Sequence, residues 1–325
     1  MKAIQIAEYG KPIEVAKCIE LLDVGCPNAD EVIIEVEVSP INQYDLLMIA
    51  GGYGYRPQLP LVVGTEGVGR VVAVGSDVRN LKEGDRTLVP FLTPAWTQRT
   101  RAKANWLRPL PAGDINQYAM LGVNPPTAYL LLTSIVRMPP GSWVIQNGAN
   151  SGVGRAVAVI AKSMGLKTVN VVRRAEVIPE LKAQGGDVVV LDGPDLAKRV
   201  ATETGAAPIA IALDGIADLS PMNLMSCLTD DGVLVSYGGT SRKPIGVHPG
   251  NLIFRKQTIR GFWLFHWYQS ASPDEITRMF DRLASLVAEG KIVTPVAATF
   301  GLEQISEAIA RSAESGGKIL LAPSA

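Results

Sequence analysis

No stretch constrains the fold of this chain more than Ser142 to Arg174, SWVIQNGANSGVGRAVAVIAKSMGLKTVNVVRR. It reads as a strand over 142–146, a turn of small residues, a helix over 153–164 and a second strand over 167–172. The turn, Ala149-Asn150-Ser151-Gly152-Val153-Gly154, is a G-x-G-x-x-G in which Ala and Ser stand at the first two glycine positions. Both are small enough for backbone N–H groups at the helix start to approach a pyrophosphate lying in the positive end of the helix dipole. About 19 residues beyond Gly154, where an NAD site carries Asp or Glu for the ribose hydroxyls, stand Arg173 and Arg174. Two guanidinium groups suit a 2′-phosphate through charge-assisted, bidentate hydrogen bonds, so the expected cofactor is NADPH rather than NADH.

The alternation of strands and helices continues. Runs at 187–191, 209–213, 233–237 and 258–262 add four strands separated mostly by helix-length segments, completing the six of a doubly wound parallel sheet. Pro179 falls inside the apparent helix after the second strand and is expected to start or kink it. The first 120 or so residues have a different texture. They carry short β-branched runs at 31–38, 68–74 and 87–90, punctuated by Gly, Pro and Asp. After Ser272 come two helices, 274–289 and 302–312, and a last strand, 318–321. The fold class is therefore α/β, with a doubly wound cofactor domain over 123–265 and a β-rich domain over 1–122 and 266–325. A chain of 325 residues has room for two such domains, each burying its own core.

Lysine plus arginine equal aspartate plus glutamate at 31 each, so no net field favours nucleic acid or an anionic membrane. Three scattered cysteines, Cys18, Cys26 and Cys227, form no C-x-x-C pair, which points to a reducing, cytoplasmic compartment. The start, MKAIQIAEYG, lacks the pattern of a targeting segment, and no run approaches the roughly 18 apolar residues that span a bilayer. No metal site is expected. Catalytic zinc needs about three protein ligands, the only histidines are His248 and His266, and both read as loop or packing residues. Thr65, in Val63-Gly64-Thr65-Glu66-Gly67, stands where zinc alcohol dehydrogenases commonly carry a ligand histidine.

Without a metal, a reduction needs another source of protons, and residues 42–57, NQYDLLMIAGGYGYRP, offer phenols on a glycine-rich loop. A phenol at its ordinary pKa of roughly 10 stays protonated at neutral pH and can donate to a developing enolate. Tyr53, flanked by Gly52 and Gly54, is the foremost candidate. Tyr44 and Tyr55 remain rivals on chemistry alone.

Taken together, residues 42–76, 121–129 (LGVNPPTAY), 144–154, 170–174 (NVVRR), 235–244 (VSYGGTSRKP) and 252–267 (LIFRKQTIRGFWLFHW) carry a resemblance across nearly the full chain. The chain resembles the zinc-independent medium-chain dehydrogenase/reductases, and within them the trans-2-enoyl thioester reductases. The resemblance implies a GroES-like β-rich domain for substrate, a Rossmann domain for the cofactor, and Tyr53 in the place of the catalytic tyrosine. It also implies dinucleotide contacts from Asn124, Asn150, Ser151, Gly152 and Val153, and from Arg173 and Arg174. Further contacts fall on Tyr237, Gly238, Gly239 and Thr240, on Phe262, Trp263, Leu264 and Phe265, and on Lys318. Simpler roles stand beside these: a helix cap for Asn124, a strand-ending turn at 237–239, core packing for Phe262 and Trp263, and a solvated lysine at 318. Tyr55 departs from the family pattern and bears on acyl-chain preference.

The expected reaction is NADPH-dependent reduction of the α,β double bond of a 2-enoyl thioester. Hydride goes to the β carbon, charge gathers on the thioester oxygen, and Tyr53 supplies the α proton. The site is expected at the carboxyl ends of the parallel strands. The rivals are an NADPH quinone or enal reductase, which shares the cofactor half, and a non-catalytic NADPH-binding protein, since a fold alone proves no chemistry. The family implies a homodimer, with the edge strand at 258–262 as contact surface. Arg242, Lys243, Arg255, Lys256 and Arg260 are a candidate surface for an acyl carrier protein or for coenzyme A phosphates, against the plainer reading of solvated charges.

Overall fold

All six strands read from the centre of the sequence form and pair in parallel in the computed structural model, which describes residues 1–314 and 316–324. Across the sheet they lie in the order Val188–Leu191, Lys167–Val172, Trp143–Gln146, Ile209–Asp214, Val233–Ser236, Thr258–Gly261. The order reverses between Trp143–Gln146 and Ile209–Asp214, the place where a doubly wound sheet takes its ligand. The inner strands are near-continuous apolar runs because both their faces are covered. Val144, Ile145, Val169, Val171, Ile211 and Leu213 are buried to 1 % exposure or less. Thr258–Gly261 lies at the edge, and every residue in it is exposed.

The helix Gly152–Ser163 buries Ala156, Val157, Ile160 and Ala161 and packs on the helix Asn124–Thr133 and the strand Lys167–Val172. Pro179 sits in the first turn of the helix Ile178–Ala183, where its missing N–H costs nothing. These elements belong to one compact unit, Asn124–Ser270; the other is built from Met1–Val123 and Ala271–Ala325.

The spine of this other unit is the strand Glu31–Pro40, which buries Val32, Ile34 and Val36 with Val71, Val89 and Leu107. It pairs antiparallel with Gly67–Val74 and with Arg99–Lys103. Its end meets the strand Lys318–Leu321, with Leu320 opposite Pro40, and the Ile41 N–H donates to the Ile319 carbonyl at 2.9 Å. That register brings Lys318 beside Asn42, 276 positions away in the chain. Trp96 is wholly buried and donates its indole N–H to the Pro40 carbonyl at 3.1 Å.

Two segments differ from the sequence reading. Residues 42–57 are not a loop throughout, because Gln43–Ile49 is an α-helix. The Asp45 carboxylate accepts the Asn42 backbone N–H at 2.9 Å and so starts it. Tyr44 therefore stands in a helix, while Tyr53 and Tyr55 lie on the loop that follows. The aromatic segment Leu264–Ser270 is also helical, with Leu264 its only buried residue. Phe262 and Trp263 are half-buried. His248 caps the short helix Pro249–Ile253 by accepting the Gly250 N–H at 3.1 Å, and His266 meets Trp263 edge-on. No described helix is long and apolar enough to cross a membrane.

Candidate active site

At the carboxyl end of Trp143–Gln146 the chain turns into the helix Gly152–Ser163. Ser151 is the N-cap, its Oγ accepting the Gly154 N–H at 3.1 Å. The N–H groups of Gly152 and Val153 find no acceptor among the described residues, which leaves two donors at the positive end of the helix. The turn has no room for larger side chains. A Cβ on Gly154 would lie 2.6 Å from the Ala149 Cα, and one on Gly152 would lie 2.6 Å from Asn124 Nδ2. Asn124, the first residue of its helix, is thus packed over the turn.

Asn147 joins the two strand ends at the reversal. Its Nδ2 donates to Asp214 Oδ1 at 2.6 Å, and its Oδ1 accepts the Gly215 N–H at 2.8 Å. The Tyr237 ring covers Gly215, where a Cβ would come within 2.8 Å of the phenolic oxygen. Burial, followed by the Asp214 charge, pushes the Tyr237 phenol up against a hydrogen bond with Ser151. The Thr240 N–H donates to the Gly215 carbonyl at 3.2 Å, and space opens at Gly239, where a Cβ would touch nothing within 4 Å. The structure therefore gathers Asn124, Asn150 to Val153 and Tyr237 to Thr240 around one turn. Arg173 and Arg174 are exposed at the end of Lys167–Val172. Arg174 faces Glu176 at 3.6 Å, and Arg173 has no ion pair among the described residues. Trp263 and Phe265 stack at 4.7 Å.

The β-rich unit holds a buried polar cluster of its own. Lys318 is half-buried: its ammonium donates to Asn42 Oδ1, and burial lowers its pKa against the pull of Glu66 and Asp45. Asn42 Nδ2 donates to Glu66 Oε1 at 2.7 Å and lies 3.1 Å from the Tyr44 hydroxyl. Thr65 Oγ1 stands 2.6 Å from both the Tyr44 hydroxyl and Asp45 Oδ1. Asp45, Thr65 and Glu66 are each 2 % exposed or less. Burial pushes Asp45 up to about 6 against hydrogen bonds from Thr65 and Asn42. It pushes Glu66 up to about 7 against the Lys318 ammonium and the Asn42 amide. One lysine faces two carboxylates, so the cluster retains a proton close to neutral pH.

Burial, then the charges of Asp45 and Glu66, also raises the Tyr44 phenol well above its ordinary value. Tyr44 is thus engaged by Thr65 and Asn42. The Tyr44 and Tyr53 rings lie 6.0 Å apart, tilted by 37°. Sequence reasoning alone does not reach Asn42, Asp45 or Glu66. The one local signal is the spacing of Asn42 and Asp45, a helix-start pattern.

A tight turn of small residues on a doubly wound sheet, in a chain that also builds a β-rich unit, is the organisation of the medium-chain dehydrogenase/reductases. Residues 28–124 match the alcohol dehydrogenase GroES-like domain and residues 152–285 the zinc-binding dehydrogenases, and the chain belongs to this family. Within it the chain resembles the enoyl thioester reductases. It is 36 % identical over 314 residues to the mitochondrial enoyl-[acyl-carrier-protein] reductase of Rattus norvegicus, covering 94 % of this chain and 84 % of that one. A solved structure described as an NADPH:quinone reductase from Bacillus thuringiensis matches with a TM-score of 0.90 at 26 % identity, over 99 % of this chain and 98 % of that one. The complex of Etr1p with NADP and crotonyl-CoA matches with a TM-score of 0.86 at 26 % identity, over 99 % of both chains.

The family description mentions zinc, and the residues do not fit it. Among the described residues no group of three or more His, Cys, Asp or Glu could hold a metal ion, whereas a catalytic zinc takes about three such ligands. Thr65 is instead committed to Tyr44 and Asp45.

Proposed function

We propose that this protein is an NADPH-dependent reductase of 2-enoyl thioesters. The observation that carries the reading is the full-length likeness to a reductase held with NADP and crotonyl-CoA. The residues such chemistry needs are present. Ser151 and the open N–H groups of Gly152 and Val153 receive the pyrophosphate, and Arg173 and Arg174 hold the 2′-phosphate. When bound, the reduced nicotinamide supplies the hydride that reaches the β carbon. Tyr53 gives its phenolic proton to the α carbon, and backbone or hydroxyl donors stabilise the charge on the thioester oxygen. Tyr53→Phe is expected to keep NADPH binding while kcat with crotonyl-CoA falls by ~10²-fold or more. Unchanged turnover removes Tyr53 from the reaction.

The second reading, reduction of a quinone or an enal, is favoured by the TM-score of 0.90 to the Bacillus thuringiensis protein. It shares the cofactor residues and differs in the electron acceptor. The exposed edge strand Thr258–Gly261 supports a homodimer in which the sheet continues into a second copy. Ile253 and Phe254, 67 % and 81 % exposed just before that strand, supply apolar surface for it. Lys243 and Arg255 are paired with Asp218 and Asp230 at 2.9 and 3.0 Å, which leaves Arg242, Lys256 and Arg260 as the residues assigned to coenzyme A phosphates or an acyl carrier protein. Three free cysteines support a reducing, cytoplasmic setting.

A further inference from the structure

The loop that carries Tyr53 closes at both ends on a single residue, Tyr9. Resting on the assignment of Tyr53 as the proton donor, we propose that Tyr9 is a positioning residue that holds the Tyr53 phenol for proton transfer. Gly51, at φ +73°, lies against its side chain: a Cβ there would be 3.1 Å from the Tyr9 Cβ and 3.0 Å from an Arg56 guanidinium nitrogen. Arg56 sets its guanidinium over the Tyr9 ring, 4.8 Å from the centroid. The Tyr9 hydroxyl donates to the Pro57 carbonyl. One ring therefore grips the chain just before and just after Tyr53.

The grip has a firm base. Tyr9 packs on the core cluster that includes Ile4, Ile6, Ile49 and Trp96. Its neighbour Gly10 donates its N–H at 3.1 Å to the carbonyl of Ile49, the last residue of the helix that precedes the loop. Between the two gripped ends, Gly52 and Gly54 leave the backbone freer than any other residue would. The ends, together with the Tyr44 ring 6.0 Å away, set where the loop presents the phenol. Tyr9 itself meets no reacting atom in this scheme, because its hydroxyl is occupied by Pro57.

The test is a double-mutant cycle in the full chain, with kcat, KM for crotonyl-CoA and Kd for NADPH as readouts. Tyr9→Leu removes ring and hydroxyl, Tyr9→Phe the hydroxyl alone, and Arg56→Met the exposed cation. A displacement of about 1 Å at a reacting group can cost ~10²-fold, so Tyr9→Leu is expected to lower kcat by about tenfold or more with Kd for NADPH unchanged. Tyr9→Phe, which keeps the ring under Arg56, is expected to restore most of that loss. In a Tyr53→Phe background Tyr9→Leu is expected to lower kcat no further, a non-additivity that general loosening of the fold does not produce. Full kcat in Tyr9→Leu, or an equal fall in both backgrounds, overturns the proposal. Should Tyr9→Leu fail to fold, Tyr9→Phe with Arg56→Met runs the same cycle, and no fall or additive falls there overturn it. Undiminished kcat in Tyr53→Phe alone overturns the acid assignment, and the proposal with it, so the two failures are read from different proteins.

Discussion

Replacing Glu66 by Gln should make stability less dependent on pH, within a window set by the buried cluster. Glu66 is 1 % exposed, and burial raises its pKa from 4.5 to about 7 despite the Lys318 ammonium and the Asn42 amide. The folded chain therefore holds this proton more tightly than the unfolded chain, so stability falls as pH rises between the two values. The contribution is fully present below about pH 4.5 and lost as pH rises through about 7. At about 1.4 kcal/mol for each pH unit, the full change is about 3 kcal/mol. Glutamine keeps an acceptor for Asn42 Nδ2 and cannot ionise. The difference in unfolding free energy between variant and parent should thus move in the variant's favour by about 3 kcal/mol between about pH 4.5 and 8. Asp45, pushed up to about 6, acts in the same direction and is present in both proteins. Urea unfolding at fixed pH, followed by tryptophan fluorescence, reads the difference. A difference that stays constant from about pH 5 to 8 rules out a raised Glu66 pKa in the folded chain.

Arg173→Ala should weaken NADPH binding by about tenfold or more and leave NADH nearly unchanged, because a hydrogen bond to a charged group contributes about 1.5–3 kcal/mol. Calorimetric titration with both dinucleotides checks this, and equal losses count against the 2′-phosphate role. Gly154→Val puts a Cβ 2.6 Å from both the Gly148 carbonyl oxygen and the Ala149 Cα. The turn must shift, at an overpacking cost of about 1–3 kcal/mol, and dinucleotide affinity should fall; unaltered affinity would place the dinucleotide elsewhere. Trp96→Phe leaves the Pro40 carbonyl without its buried donor, which should lower the urea midpoint by the equivalent of about 1–3 kcal/mol while NADPH still binds.

The parallel sheet is legible in the sequence because its strands are covered on both faces. Residues 167–172 and 188–191 therefore read as near-continuous β-branched runs. The turn over 149–154 is legible for a related reason, since only small residues fit where Gly152 and Gly154 meet Asn124 and Ala149. The helix Gln43–Ile49 escapes because the glycines at 51, 52 and 54 dominate the reading of the whole segment, while its start signal is confined to Asn42 and Asp45. The helix Leu264–Ser270 buries one residue and so has no apolar period to read. The polar cluster is out of reach for a different reason. Its members come from 42–45, 65–66 and 318, and only the pairing of Lys318–Leu321 with the end of Glu31–Pro40 joins them. Tyr9 and Pro57, 48 positions apart, are hidden from a local reading in the same way.

The proposed activity is reduction of the double bond of an enoyl thioester. Its most direct test follows the loss of NADPH absorbance on adding crotonyl-CoA, in parallel with a quinone and a simple enal, and compares kcat/KM for the three. The thioester is expected to be the preferred acceptor. Turnover of the quinone or the enal with none of the thioester would contradict it, while leaving the fold and the family as they stand.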